Sequence, residues 1–577
     1  MIATITQLND TFVSLLFEAN PSLCYQFGIR RFEDKIFDVS IEAHTKFVAR
    51  LNELNAQVDH LETENGGNLT KQQQEDVTFL KEAITQALLK EGVPGEVGYN
   101  LELSNNHLDG EFARLEAYFE SSPLETRQDI ENYQKRLSLI PVQCQHMIDN
   151  YRRGIKRNVT FNKICVQLII DIGKGLYGQG KDILSAARDS GLNRAEKALE
   201  LTGDSDFLVP VLKDNVLPAV QSVVQFLESE YIHYARASDG VADIPGAYER
   251  YIYINTETSY SAQEIHNIGL AEVERIQSLL QTAKNACGYI GSVRDFQRDL
   301  LDSSKFPHLY MKAEDILPKC EQIIADAKSR MVSIFDRFPL FDCRVKNVPK
   351  NLEASEPLGQ YSGGSPTELI MSGPYVEGWG LYSEFLGQEL GIYTDPFEYF
   401  GRLEMEMWRA VRLVVDSGLH SKNWSIDESV EYMMGEIAMT REECLTEVRR
   451  YAAIPGQALN YKIGELKIKE LRKYSESVLG DAFDVKEFHA VVLGKGALPL
   501  RMLELVVKEW VSSKMVVEAV GKDSKNVDDK KVVLDILLPT ESFVGRVVVS
   551  KQKADWQGKI LIVLILSALA YLQAMKL

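Results

Sequence analysis

Between residues 375 and 465 the chain gathers most of the side chains that could do chemistry. In Tyr375-Val376-Glu377-Gly378-Trp379-Gly380-Leu381-Tyr382, Glu377 is placed as one carboxylate ligand of a catalytic zinc could be. Such a site needs three protein ligands, usually His, His and Glu, and an open position for water. The nine histidines are His44, His60, His107, His146, His233, His266, His308, His420 and His489, and no two lie within five residues of each other. No local zinc-binding histidine pair can be built from them.

Glu377 and Glu384 are seven apart, so on a helix beginning near Pro374 they share a face, and Gly378 and Gly380 leave room for something to approach closely. A solvated helix face with packing glycines is the plainer reading of the same residues. On the next helix Arg409, Arg412, Asp416 and His420 form a stripe at spacings of three, four and four inside an apolar background. That stripe reads either as an Arg412–Asp416 pair ending in a satisfied helix-end histidine, or as Arg412 orienting acidic groups with His420 bonded to a substrate. Further on, Pro455-Gly456 sets a turn ahead of a helix carrying Tyr461. Its hydroxyl could stabilise an oxyanion or simply complete a core contact.

The elements that must hold these residues are predicted to be helices. Phe47, Leu51, Leu54, Val58 and Leu61 recur at spacings of four and three. Ser261-Ala262-Gln263-Glu264 forms a capping box ahead of the stripe Ile265, Ile268, Val273, Ile276 and Leu280. The pattern continues to about Lys514, which predicts an all-α body over 1–513. Gly and Pro mark loops at Glu91–Gly98, Ala237–Gly246 and Asn347–Pro374. Beyond Ser513 the mixed charge and β-branched runs, such as Val547-Val548-Val549, suggest a linker or small appendage over 514–559.

Composition narrows the partners. The chain has 577 residues, 45% hydrophobic and 25% charged, within the range of compact globular proteins. A formal charge of −19 repels phosphate backbones, so nucleic acid is not expected. Seven scattered cysteines without a Cys-x-x-Cys pair read as reduced thiols. Met1–Asn20 lacks a basic start and its apolar run is interrupted, so a cytoplasmic location is expected, and the sequons at Asn68, Asn158 and Asn423 carry little weight. Ile560–Leu572 is apolar except for Ser567, which leaves membrane attachment through Ile560–Leu577 as the alternative. The run falls short of the roughly 20 residues that cross a bilayer.

Taken together, Glu377-Gly378-Trp379-Gly380-Leu381-Tyr382-Ser383-Glu384, Arg412-Leu413-Val414-Val415-Asp416-Ser417-Gly418-Leu419-His420, and Pro455-Gly456-Gln457-Ala458 through Tyr461-Lys462-Ile463-Gly464 resemble the domain of unknown function 885 family. The similarity runs over about residues 10–513. The resemblance implies a zinc metallopeptidase-like fold, elongated and two-lobed, with lobes meeting near 237–246 around a central cleft. It implies zinc as the family's cofactor, Glu377 as the third ligand, and Arg412, Asp416, His420 and Tyr461 lining the cleft. Family members typically carry His-Glu-x-x-Pro-Gly-His-His before the Glu-Gly-Trp motif. Here the chain reads as though joined across Ser365–Thr367, and that segment, with two zinc ligands and the general base, is missing.

Three readings follow. The chain is a non-catalytic peptidase-like scaffold that binds peptides or a protein partner and no zinc; or it is a splice form or truncated gene model of an active zinc peptidase; or it is a membrane-tethered helical adaptor. Loss of the segment is also expected to leave a destabilised centre, since unfilled cavities cost about 24 cal/mol per Å³.

Overall fold

The computed structural model describes residues 4–21, 24, 29–65, 68–91, 100–103, 106, 108, 110–112, 125–177, 202–203, 209–336, 343–347, 359–362, 372–521 and 545–549. The protein is all-α in class, as its periodicity predicts. The principal helices are α1 (Ile5–Ala19), α2 (Ile41–Asn65), α3 (Lys71–Glu91), α4 (Arg127–Arg157), α5 (Lys163–Gly175), α6 (Leu217–Ser229), α7 (Ala247–Thr256), α8 (Ala262–Ala286) and α9 (Val293–Leu300). They continue with α10 (Ala313–Met331), α11 (Gly373–Glu389), α12 (Pro396–Ser421), α13 (Ile426–Glu436), α14 (Arg441–Ala453), α15 (Asn460–Leu479), α16 (Val485–Leu493) and α17 (Leu500–Gly521). Against this background stand three short strands, β1 (Cys343–Asn347), β2 (Gly359–Ser362) and β3 (Gly545–Val549), in the order β1-β3-β2.

The chain divides into two compact units. One comprises Met1–Ile254, Gly418–Ser429 and Leu445–Pro455; the other comprises Asn255–Ser417, Val430–Cys444 and Gly456–Leu577. In the first, the stripe read from sequence on α2 is buried. Leu51, Leu54, Val58 and Leu61 pack with Ile5, Leu8, Phe12 and Leu15 of α1 and with Val77, Leu80 and Ile84 of α3, while Phe47 is partly buried beside them. Each buried aliphatic side chain contributes about 1.5–3 kcal/mol, so this three-helix core is a substantial stabilising element. Around α4 and α6, Tyr151, Phe226 and Tyr231 stack with centroids 5.1 to 6.3 Å apart.

In the second unit α8 begins on the predicted capping box. The Ser261 hydroxyl accepts the Glu264 N–H, and the Glu264 carboxylate accepts the Ser261 N–H at 2.8 Å. Ile265, Val273, Ile276 and Leu280 then face the core. Ala237–Gly246 is a loop, as its glycines and proline require. The helix α17 runs past the predicted end near Lys514 to Gly521, because no Gly or Pro interrupts it after Pro499 and mixed charge alone does not stop a helix. Part of the supposed appendage is the strand β3. The rest of it, the tail Ile560–Leu577 and most of the loops at 91–98 and 347–374 lie outside the described residues.

Candidate functional site

The Glu377 helix starts where a start signal is written. Ser372 is its N-cap and accepts the Tyr375 N–H at 3.1 Å, and Pro374 occupies the first turn, where its missing N–H costs nothing. What the glycines admit is another backbone. A Cβ on Gly378 would stand 2.4 Å from the carbonyl carbon of Gly464, and one on Gly464 would stand 1.8 Å from the Pro374 carbonyl oxygen. Thus α11 and α15 cross with their main chains in contact, and this crossing fixes Glu377 relative to Tyr461.

Glu377 is half-buried and Glu384 fully buried. The Glu384 carboxylate lies 3.6 Å from the Arg409 guanidinium. Burial pushes the Arg409 pKa down; Glu384 opposes the shift, Arg412 reinforces it, and Tyr461 and Glu377 oppose it. The acidic residues of α11 and the basic ones of α12 therefore share one electrostatic neighbourhood. Arg412 is held between aromatic faces, 4.3 Å from the Trp408 centroid and 4.7 Å from that of Tyr461, and Arg409 lies 5.0 and 5.9 Å from the same rings. Such contacts contribute about 0.5–2 kcal/mol each and orient a guanidinium without using its N–H donors.

Asp416 and His420 are both buried and bonded to backbone. Asp416 is fully buried, and both its oxygens accept the Gly456 N–H, at 3.1 and 3.3 Å. Gly456 has φ of 80°, a left-handed conformation that favours glycine, so Asp416 anchors the turn that launches α15 and Tyr461. His420 belongs to the first unit and is buried there. Its Nδ1 accepts the Val241 N–H at 3.2 Å, which leaves Nε2–H to donate to the Tyr451 carbonyl at 3.1 Å. Both nitrogens are engaged by backbone, and burial drives the imidazole pKa down to about 3. Those bonds are the ones a satisfied helix-end histidine makes. Gly240 makes the contact feasible, since a Cβ there would lie 2.0 Å from the Leu419 carbonyl oxygen.

Sequence reasoning passed over the charges beside this cluster. Lys462, wholly buried, lies 2.8 Å from Glu272, 2.8 Å from Glu406 and 2.6 Å from Glu465. Arg402 lies 2.8 Å from Glu406, Arg275 bridges Glu272 and Glu406, and Lys469 joins Glu465. The Lys462 pKa is raised by the carboxylates against the penalty of burial, and burial alone would raise that of Glu406, which its cations bring far down. The i,i+4 pair Arg402/Glu406 inside an apolar helix was the available signal. A second omission is His489, whose Nε2 meets the Tyr382 hydroxyl at 3.0 Å while Nδ1–H donates to the Ile334 carbonyl at 2.8 Å.

Among the described residues no group of three His, Cys, Asp or Glu is arranged to hold a metal. Arg409 on α12 reaches Glu377 electrostatically, and Glu384 is its second acidic neighbour. The join at Ser365–Thr367 lies outside the described residues. No described helix is long and apolar enough to cross a membrane.

Comparison with known proteins bears on the whole chain. Residues 21–369 and 368–507 match the family described as "Bacterial protein of unknown function (DUF885)". Among solved structures, a candidate lipoprotein from Colwellia psychrerythraea is 25% identical, with 89% of this chain and 100% of that one covered and a TM-score of 0.79. A candidate lipoprotein of unknown function from Shewanella oneidensis, 16% identical over 88% of this chain and 100% of its own, shares the fold with a TM-score of 0.67. No curated protein matches.

Proposed function

Because the chain belongs to the DUF885 family, we propose that it is a non-catalytic, peptidase-like helical scaffold that binds a peptide or protein partner without hydrolysing it. Arg412 and Tyr461 engage an acidic or carboxylate group of that partner, Asp416 positions the turn ahead of Tyr461, His420 braces its own unit, and Glu377 balances the arginines instead of holding zinc. The observation that carries this reading is the composition of the neighbourhood: cations from α12 face the one retained ligand type, in a chain whose histidines never approach a zinc-binding spacing. A bound zinc would also meet the repulsion of Arg409 and Arg412 without a general base to exploit it.

The test is the zinc content of the purified, dialysed protein by elemental mass spectrometry, with Glu377→Ala as control and a chelator-sensitive peptidase assay beside it. No stoichiometric zinc in either protein and no hydrolysis are expected. Zinc that is present in the parent and lost in Glu377→Ala overturns the proposal.

A second reading, an active zinc peptidase whose motif is absent from this splice form or gene model, is favoured by one observation. The family match falls into two segments that meet at 368–369, beside the join read across Ser365–Thr367. A transcript encoding His-Glu between Ser365 and Pro374, and hydrolysis by its product, would establish it.

A further inference from the structure

Arg409 is a buried cation with part of its donor set unmet. Its side chain is only 8% exposed. Nη1 donates to the Met405 carbonyl of its own helix at 3.0 Å, whereas Nε–H is buried and has no acceptor among the described residues. Nη2 lies 3.6 Å from the Glu384 carboxylate, too long for a hydrogen bond. On a guanidinium, Nε–H and one Nη2–H point the same way and form a two-toothed edge that matches the two oxygens of a carboxylate. Elsewhere in this unit that edge is filled: Arg275 grips Glu272 through Nε at 3.0 Å and through Nη2 at 2.7 Å. Arg409 presents the same edge with one tooth unmet and the other only approached. A buried charged donor without an acceptor is costly, so an edge in this state calls for an occupant.

The setting suits an anion that arrives from outside. The rings of Trp408 and Tyr461 lie 5.0 and 5.9 Å from the Arg409 guanidinium and help to fix its plane. Glu377, Trp408 and Tyr461 each keep part of their surface in solvent, so the buried edge lies one side chain from water. Burial above all, and then the like charge of Arg412, hold the Arg409 pKa down, while Glu384 and Glu377 oppose them. A bound carboxylate would offset both the burial and the like charge. It enters against the repulsion of Glu384 and Glu377 and gains two charge-assisted hydrogen bonds in return.

We propose that the Nε–Nη2 edge of Arg409 is the carboxylate anchor of the peptide site, gripping two oxygens of the bound segment with two donors. The carboxylate is either a free C-terminus or an Asp or Glu side chain. The inference rests on the peptide-binding reading above and deepens it, since it names the group that is read and adds Arg409 to Arg412 and Tyr461 as the residue that reads it. Glu384 is then the rival that the incoming carboxylate must displace from the neighbourhood of Nη2.

The test is isothermal titration calorimetry of the full chain with unlabelled peptides: Gly-Ala-Ala-Ala with a free C-terminus, the same peptide amidated, and amidated Gly-Ala-Glu-Ala. Amidation is expected to weaken binding of the first peptide roughly tenfold if the edge takes a C-terminus; the third is expected to bind roughly tenfold tighter than the second if it takes a side chain. Arg409→Lys keeps the charge and loses the edge, and is expected to weaken the carboxylate-dependent peptide roughly tenfold while leaving the amidated all-alanine peptide unchanged. Glu384→Gln removes the rival and is expected to tighten the same peptide roughly threefold. It decides the matter should Arg409→Lys lose its helical circular dichroism, because a purely structural Arg409–Glu384 pair predicts weaker or unchanged binding there. Equal binding of all three peptides, binding of none, indifference to Arg409→Lys, or no tightening in Glu384→Gln overturns the proposal. Binding that needs both the carboxylate and Arg409, accompanied by chelator-sensitive cleavage, would uphold the anchor and sink the scaffold reading; carboxylate-blind binding with neither zinc nor cleavage would do the reverse.

Discussion

Two clusters in the second unit share the helices α12 and α15 and differ in what surrounds their charges. Around Lys462, each ammonium or guanidinium meets carboxylates at ion-pair distance, several of them at 2.6–2.8 Å, with the groups drawn from α8, α12 and α15. Around Arg412, further along α12, the Glu384 carboxylate approaches Arg409 at 3.6 Å and the rings of Trp408 and Tyr461 flank both guanidinium groups. A buried ion-pair network ties helices together, whereas rings stacked on a guanidinium fix its plane. The first arrangement suits a frame and the second suits recognition.

Removing a frame charge should therefore cost most. Lys462→Ala leaves Glu272, Glu406 and Glu465 with less counter-charge in a buried setting and is expected to destabilise the second unit by about 3–5 kcal/mol in urea unfolding. A loss below about 1 kcal/mol would erase the contrast between the clusters.

A third buried acid sharpens the comparison because no cation pairs with it among the described residues. Glu404 accepts Gln297 Nε2–H at 2.7 Å and the Ala438 N–H at 2.9 Å, and burial raises its pKa from 4.5 to about 7, with Glu436 adding to the rise. The folded state then binds its proton more tightly than the unfolded state does. Stability should fall by about 3 kcal/mol as pH rises from 4.5 through 7, and Glu404→Gln should flatten that slope. His420 works the other way. Its folded pKa of about 3 lies below the unfolded 6.5, so its contribution is present above pH 6.5 and is lost as pH falls toward 3. Thermal unfolding across pH 4–8 reads both, and an unchanged profile in Glu404→Gln would remove Glu404 from the account.

Smaller effects are expected from the crossing and from the clamp. Gly464→Ala must displace the Pro374 carbonyl and should cost about 1–3 kcal/mol, together with a shift of α11 visible in a crystal structure. Arg412→Lys should change stability by less than about 1 kcal/mol yet weaken partner binding roughly tenfold, since an ammonium cannot reproduce the flat guanidinium between Trp408 and Tyr461. Equal losses from Lys462→Ala and Arg412→Lys would mean that both clusters are frame.

The parts legible in the sequence were those fixed by neighbours along the chain. The α2 stripe, the Ser261/Glu264 box, the start of the Glu377 helix and the Pro455-Gly456 turn all follow from local spacing. What escaped depends on distant partners. Gly378 was read as leaving room for a close approach, but nothing nearby in sequence announces that Gly464 makes it, and the bonds of His420 to Val241 and Tyr451 join residues far apart in the chain. The valine run at 547–549 was visible, but a short β-branched run does not specify its partners, and those of β3 precede α11 to α17 in the chain.

The contact between Gly378 and Gly464 has a bearing on how such a chain changes over time. Neither position tolerates even a methyl group without moving a helix, so selection for a folded body is enough to keep both glycines after any reaction has been abandoned. The Glu-Gly-Trp signature is then in part a record of packing: its presence says that two helices must touch, and it is silent on chemistry.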